Sequence, residues 1–175
     1  MSNTYLVIGA PGMGKSPFVR KMIANRRCIV FDVANEYGTR VKYQGQAPVG
    51  LSTDTNHLRS RFIETKDLKK FIQLCEQKRD TVCVFEEATA FFQGRTQLDT
   101  VHLIINRLHT GNTYVFVFHS INAVPPRLFE MANFVVLFKT MDLTDNVNRK
   151  APRIAPAFTE LQHLDNGESR ILKLL

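Results

Sequence analysis

Tyr5-Leu6-Val7-Ile8-Gly9-Ala10-Pro11-Gly12-Met13-Gly14-Lys15-Ser16 is the stretch that decides the fold of this chain. Tyr5 to Ile8 is a short apolar run ending at glycine, the pattern of a strand buried on both faces. The eight residues from Gly9 to Ser16 match G-x-x-x-x-G-K-[ST] at every fixed position. Glycines let the backbone curl until successive N–H groups face inward as an anion nest. A helix starting near Lys15 aims its positive end at the same place. Lys15 brings a mobile cation to the β/γ-phosphates, and the Ser16 hydroxyl is a Mg²⁺ ligand. Pro17 follows in the first helical turn, where its missing N–H does no harm. A chance match in a chain of average glycine content is on the order of one per cent. We therefore expect Gly9, Ala10, Pro11, Gly12, Met13, Gly14, Lys15, Ser16 and Pro17 to cradle a nucleotide. The competing reading is a Gly-rich turn beside a surface lysine.

Working outward, β-rich runs alternate with helical ones. The spacing of Phe18, Val19, Met22 and Ile23 predicts a helix over 15–25, followed by a strand over 28–31. Residues 37–56 read as loop with one short strand. Leu68, Phe71, Ile72 and Cys75 predict a helix over 67–78 that starts near Thr65. A third strand covers 81–85 and ends in Glu86-Glu87. A helix over 98–108 turns Val101, Ile104, Ile105 and Leu108 inward and stops at Gly111. The fourth strand, 114–118, ends in His119-Ser120; Pro125-Pro126 opens a short helix, and 134–138 is the fifth strand. Residues 139–156 read as irregular, and 169–174 supply a possible last strand. Such alternation predicts an α/β fold, a mostly parallel sheet of at least five strands with helices on both faces.

The chain has 175 residues, 44% of them apolar and 22% charged, an ordinary balance for a globular domain. That excludes disordered, collagen-like and coiled-coil chains. One domain is expected over 1–175, with its core over 4–140 and an irregular extension over 141–175. No apolar run approaches the length of a membrane span, and no secretory leader is visible. Cys28, Cys75 and Cys83 form no CxxC pair and read as reduced, buried thiols, which places the protein in the cytoplasm. With 23 Lys+Arg against 16 Asp+Glu, the formal charge is +7, which suits a polyanionic partner.

A phosphate-binding loop positions phosphates, and further groups must hold Mg²⁺ and orient a water. The C-terminal edge of a sheet of this type is where ligands bind. Glu86 is therefore the expected Mg²⁺-linked carboxylate, and Glu87 the one that polarises the attacking water. The alternative is a pair of solvated carboxylates starting a turn. The first of the two positions is more usually Asp.

After the second strand, Phe31-Asp32-Val33-Ala34-Asn35-Glu36-Tyr37-Gly38 resembles the D-x-x-x-E-Y element of FtsK–HerA-type ATPases. Together with the loop, Glu86-Glu87 and an Arg-bearing helix before strand four, the order of elements over residues 4–140 is similar to that superfamily. The short length resembles its small viral genome-packaging ATPases. The resemblance implies a RecA-like core that binds ATP and Mg²⁺ and assembles into a ring, usually a hexamer, that threads DNA. It implies a host-cytoplasmic or virion-associated protein with capsid-vertex partners. It also implies an arginine finger completing a neighbour's site, matched here by Arg107, whose alternative role is a helix-end charge. The family's γ-phosphate sensor, usually Gln or Asn, falls on His119, whose alternative is a buried structural histidine.

Dispersed basic clusters at Arg20/Lys21/Arg26/Arg27, Lys66/Lys69/Lys70 and Arg149/Lys150/Arg153 suit sequence-independent contacts to a DNA backbone. Phe91-Phe92-Gln93-Gly94-Arg95 reads either as a pore loop or, for its two phenylalanines, as core. Two other functions compete with this one. A small nucleotide or metabolite kinase would carry an Arg-rich lid, and no compact Arg cluster lies between strands four and five. An NTP-gated switch or assembly factor of the GTPase type would carry N-K-x-D, which is absent.

Overall fold

The computed structural model describes residues 2–33, 41–42, 63–64, 67–90, 92 and 95–175, with the backbone alone at 41–42, 63–64, 90 and 95–97. The strands are β1 (Thr4–Ile8), β2 (Cys28–Phe31), β3 (Val41–Lys42), β4 (Ile63–Glu64), β5 (Val82–Phe85), β6 (Thr113–Phe118), β7 (Phe134–Phe138) and β8 (Ser169–Lys173). They form one sheet in the order β3-β4-β2-β5-β6-β1-β7-β8, parallel throughout except for β8, which runs antiparallel to β7. The third, fourth and fifth strands of the sequence reading are thus β5, β6 and β7. The chain leaves β1 toward β2 on one side and later passes to β7 on the other. That reversal opens a crevice at the C-terminal end of β1, the place where parallel sheets bind ligands.

The two faces of the sheet differ in chemistry because side chains alternate along each strand. Leu6, Ile8, Phe31, Phe85, Tyr114, Phe116 and Phe118 lie in one core cluster; Val7, Val30, Val84, Val115, Val117 and Val136 lie in the other. On the valine face packs α1 (Lys15–Ile23), through Val19 and Ile23. The aromatic face is filled by a chain of ring contacts, from Phe31–Phe71 at 5.3 Å through Phe71–Phe85 at 5.1 Å to Phe85–Phe116 at 4.8 Å. Its cover is α2 (Leu68–Gln77), α3 (Arg95–Ile105), α5 (Pro126–Met131), α6 (Thr144–Lys150) and α7 (Ala155–Gln162). The α/β fold with a mostly parallel sheet and helices on both faces is the one expected.

Asn112 ties this layer to the sheet. Fully buried, it accepts from Thr81 N at 3.1 Å and donates through Nδ2 to the carbonyls of Cys75 at 3.0 Å and Lys78 at 3.1 Å. The C-terminal carbonyls of α2 are thereby satisfied without water. The three cysteines are buried and form no disulfide. No described helix is long and apolar enough to cross a membrane.

Several expectations change. Residues 139–156 are not irregular: α6 and the start of α7 lie there, and Val147, Ile154, Phe158 and Leu161 enter the core. Both helices were hidden because they lack a polar N-cap and are short, with Leu143 and Ile154 in the cap positions. The expected helix over 98–108 begins earlier, at Arg95, and breaks at Asn106 before a one-turn α4 (Arg107–Thr110). Ile105 and Leu108 point outward, 53% and 74% exposed, while Leu103 takes the inward place with Val101 and Ile104. Gly111 does end α4, with φ 71° and its N–H bonded to Arg107 O at 2.9 Å. Phe92 is core rather than pore, its ring 5.3 Å from Phe116 and 5.6 Å from Phe118. Phe91, Gln93, Gly94, Lys66, Thr65, most of the 37–56 loop, and Ala34, Asn35, Glu36, Tyr37 and Gly38 of the D-x-x-x-E-Y element lie outside the described residues.

Candidate active site

The loop after β1 is anchored on both neighbouring strands. Gly9 N donates to Phe118 O of β6 at 3.1 Å, and Ala10 N to Lys139 O beyond β7 at 2.9 Å. These two amides hold the loop in place rather than face the anion nest. The three glycines of the motif serve different ends. Gly12 and Gly14 have φ of 78° and 92°, a region L-residues avoid, whereas a Cβ on Gly9 would lie 2.6 Å from the Cβ of Phe138. Met13 packs its side chain against the valine-face core. Gly14 is the N-cap of α1, so the helix axis begins where the loop ends.

A cleft of about 510 Å³ opens there, lined by Pro11, Gly12, Gly14, Lys15, Ser16, Pro17, Arg20, Glu86, Glu87 and His119. The structure therefore brings together the loop residues, both glutamates and the histidine, which come from three separate segments. Register explains it. Phe85 pairs with Phe116 and Phe118 with Ile8, so the residues just beyond β5, β6 and β1 share one edge. Gly9, Ala10 and Met13 stand behind the lining.

Lys15 is 6% exposed and its Nζ donates to Ala10 O at 2.9 Å, an ammonium folded onto its own loop. A phosphate in the nest would offer it a charged acceptor in exchange. Glu86 is 5% exposed, and its N–H donates to Phe31 O at 3.1 Å, joining β5 to β2. Asp32, the first residue of the D-x-x-x-E-Y element, is buried next to it at the end of β2. Glu87 has φ 55°, a left-handed conformation rare outside glycine and asparagine, and concentrated at functional sites. Its Oε1 lies 2.7 Å from Nε2 of His119.

Ser16 and Glu86 line the same cleft, and their side-chain oxygens are a hard donor set that suits Mg²⁺ bound jointly with phosphate oxygens. Among the described residues no group of three or more His, Cys, Asp or Glu forms a metal site without such oxygens. Arg107 does not line the cleft. Its Nη1 donates to Ile104 O at 2.9 Å and its Nε is buried without a hydrogen-bond partner among the described residues. It precedes β6, whose far end carries His119, so a strand of six residues, roughly 17–20 Å, separates it from its own cleft.

Arg20 is the residue that sequence reasoning missed, having been counted only among the basic clusters. The signal was available: it lies four residues after Ser16 on α1, hence on the same helical face.

Fold and site together define a P-loop NTPase fold. The solved structures it resembles include the genome packaging NTPase B204 of Sulfolobus turreted icosahedral virus 2 in complex with ATP-gammaS, with a TM-score of 0.74 at 16% identity over 99% of this chain and 92% of that one. Another is EssC (ATPases 2 and 3) from Geobacillus thermodenitrificans, TM-score 0.57 at 9% identity over 98% of this chain and 37% of that one. A third is the N-terminal domain of zonular occludens toxin from Neisseria meningitidis, TM-score 0.53 at 13% identity over 99% and 95%. No protein-family model and no curated protein matches the sequence.

Proposed function

We propose that the protein is an ATP-hydrolysing motor that translocates DNA, of the genome-packaging kind, working as a homo-oligomeric ring such as a hexamer. The observation that carries the reading is the convergence of Lys15, Ser16, Glu86, Glu87 and His119 on one cleft at the switch point of the sheet. The nest and the α1 N-terminus bind the triphosphate of ATP, with Lys15 moving from Ala10 O to the β/γ-phosphates. Ser16 and Glu86 hold Mg²⁺, which when bound neutralises charge building on the phosphate oxygens. Glu87 polarises the attacking water.

Arg107 acts on a neighbouring subunit's γ-phosphate, since it stands a strand's length from its own site. DNA as the polyanionic partner is supported by the formal charge of +7 and by likeness, over nearly the whole chain, to a protein described as a genome packaging NTPase. Exposed Lys21, Arg26, Arg27, Lys69, Lys70 and Arg149 suit sequence-independent backbone contacts. Capsid-vertex proteins are the further partners of such a motor, which operates in the host cytoplasm and on the virion. Phosphate release with and without DNA tests the reading, with acceptor metabolites as a third arm. Stimulation by DNA of any sequence is expected. Turnover only with a phosphoryl acceptor would make it a kinase, and GTP preference without DNA response a switch.

A further inference from the structure

Glu87 and His119 are 32 residues apart in sequence and are brought together only by the register of β5 and β6. His119 is fixed at its backbone, where its N–H donates to Thr89 Oγ1 at 3.3 Å in the single 3-10 turn Ala88–Ala90 that directly follows Glu87. Its ring is fixed by the 2.7 Å contact from Nε2 to Glu87 Oε1. The other ring nitrogen, Nδ1, is buried and has no hydrogen-bond partner among the described residues. A neutral imidazole carries one proton, on one nitrogen or the other. A proton on Nδ1 would orphan a buried donor and leave the Nε2 lone pair facing a carboxylate oxygen. A proton on Nε2 satisfies the carboxylate and leaves only an acceptor unpaired, the less costly vacancy.

We propose that His119 is a positioning residue for Glu87: its Nε2–H clamps Oε1, so that Oε2 is the oxygen presented to the attacking water. The proposal rests on the reading of Glu87 as the group that polarises that water. Glu87 is then held twice, by a left-handed backbone and by its own carboxylate, in one orientation at the cleft wall. The clamp also differs from the γ-phosphate contact that the resemblance assigned to this position. A single N–H serves one strong acceptor at a time, and here that acceptor is Glu87.

Long-range proton–nitrogen NMR of the histidine rings in the full, nucleotide-free chain tests the pair without relying on turnover. His119 should show the Nε2-protonated tautomer, and Glu87→Ala should move its ring resonances toward those of an unconstrained imidazole. An Nδ1-protonated or averaged ring in the parent, or unchanged resonances in Glu87→Ala, would overturn the clamp. In steady-state kinetics, His119→Ala should lower kcat about 10- to 100-fold, as misplacement of a reacting group does. KM for MgATP should move less than about threefold, because ground-state binding is untouched.

His119→Gln places an amide N–H where imidazole Nε2 was and should restore most of the rate; His119→Asn reaches only the Nδ1 position and should not. Equal rescue by both, a kcat unchanged or raised in His119→Ala, or a raised KM with kcat kept would each refute the proposal. In a Glu87→Gln background, His119→Ala should leave the ATPγS-to-ADP affinity ratio unchanged, and its collapse would make His119 a phosphate contact instead. If even the parent turns over no ATP under any condition, the ATPase reading fails, and the NMR result still decides the pair.

Discussion

Replacing Gly9 by alanine tests whether the first glycine of the loop is there for space rather than for backbone freedom. A Cβ at this position would stand 2.6 Å from Phe138 Cβ, where ordinary contact begins at 3.4 Å. Both atoms sit next to backbone, so no rotamer change relieves the clash and the loop or β7 must retreat by about 0.8 Å, an overpacking that costs about 1–3 kcal/mol. The anchors from Gly9 N to Phe118 O and from Ala10 N to Lys139 O stretch with it, adding up to about 1 kcal/mol each. Gly9→Ala should therefore lower unfolding free energy by about 1–5 kcal/mol in urea titrations. Displacing the nest should also weaken ATPγS binding about 10- to 100-fold by calorimetry. A double-mutant cycle with Phe138→Gly, which removes the opposing Cβ, should show most of the stability loss to be coupling between the two positions. Parent-like stability and affinity in Gly9→Ala, or strict additivity in the cycle, would refute the close-approach argument.

Lys15→Ala should remove most nucleotide affinity while the protein stays folded, since its side chain lines the cleft and its ammonium reaches Ala10 O of the loop rather than an apolar core; unchanged turnover, with a parent-like circular dichroism spectrum, would sink the phosphate-binding assignment. Glu87→Gln should bind MgATP and stop turnover, whereas Glu86→Gln should weaken the Mg²⁺ dependence of binding; an ATP-trapping Glu86→Gln would reverse the two roles. Arg107→Ala should bind ATP normally and lose on the order of 10³-fold in rate, and excess Glu87→Gln subunits should restore part of it. A concentration-independent rate with an active Arg107→Ala would leave Arg107 a local helix-end charge. Asn112→Ala should cost about 1–3 kcal/mol in urea unfolding, because the buried Thr81 N–H loses its acceptor while Cys75 O and Lys78 O retain the bonds from Lys78 N and Arg79 Nη1; an unchanged unfolding free energy would mean water replaces the amide.

The sequence by itself determined whatever depends on contiguous residues. The loop from Gly9 to Ser16 is built by backbone conformations of eight neighbours and the helix they start, so its residue types declare it. Strands β1, β2, β5, β6 and β7 were equally legible as short apolar runs, and Gly111 as a helix stop. Of the two-residue strands, β3 falls inside the 37–56 loop expected to hold one short strand, whereas β4 carries no period to read, and α6 shows one buried side chain, Val147, among polar ones.

What only the tertiary structure decided concerns residues whose meaning depends on a partner far along the chain. The break at Asn106 exposed Ile105 and Leu108 and turned Leu103 inward, a choice made by packing rather than by local spacing. Phe92 was ambiguous until Phe116 and Phe118 were placed beneath it. The Glu87–His119 pair is the sharpest case. Each residue was legible as a strand-end polar group, yet their hydrogen bond follows from strand register, which is set by the whole sheet and its two buried faces.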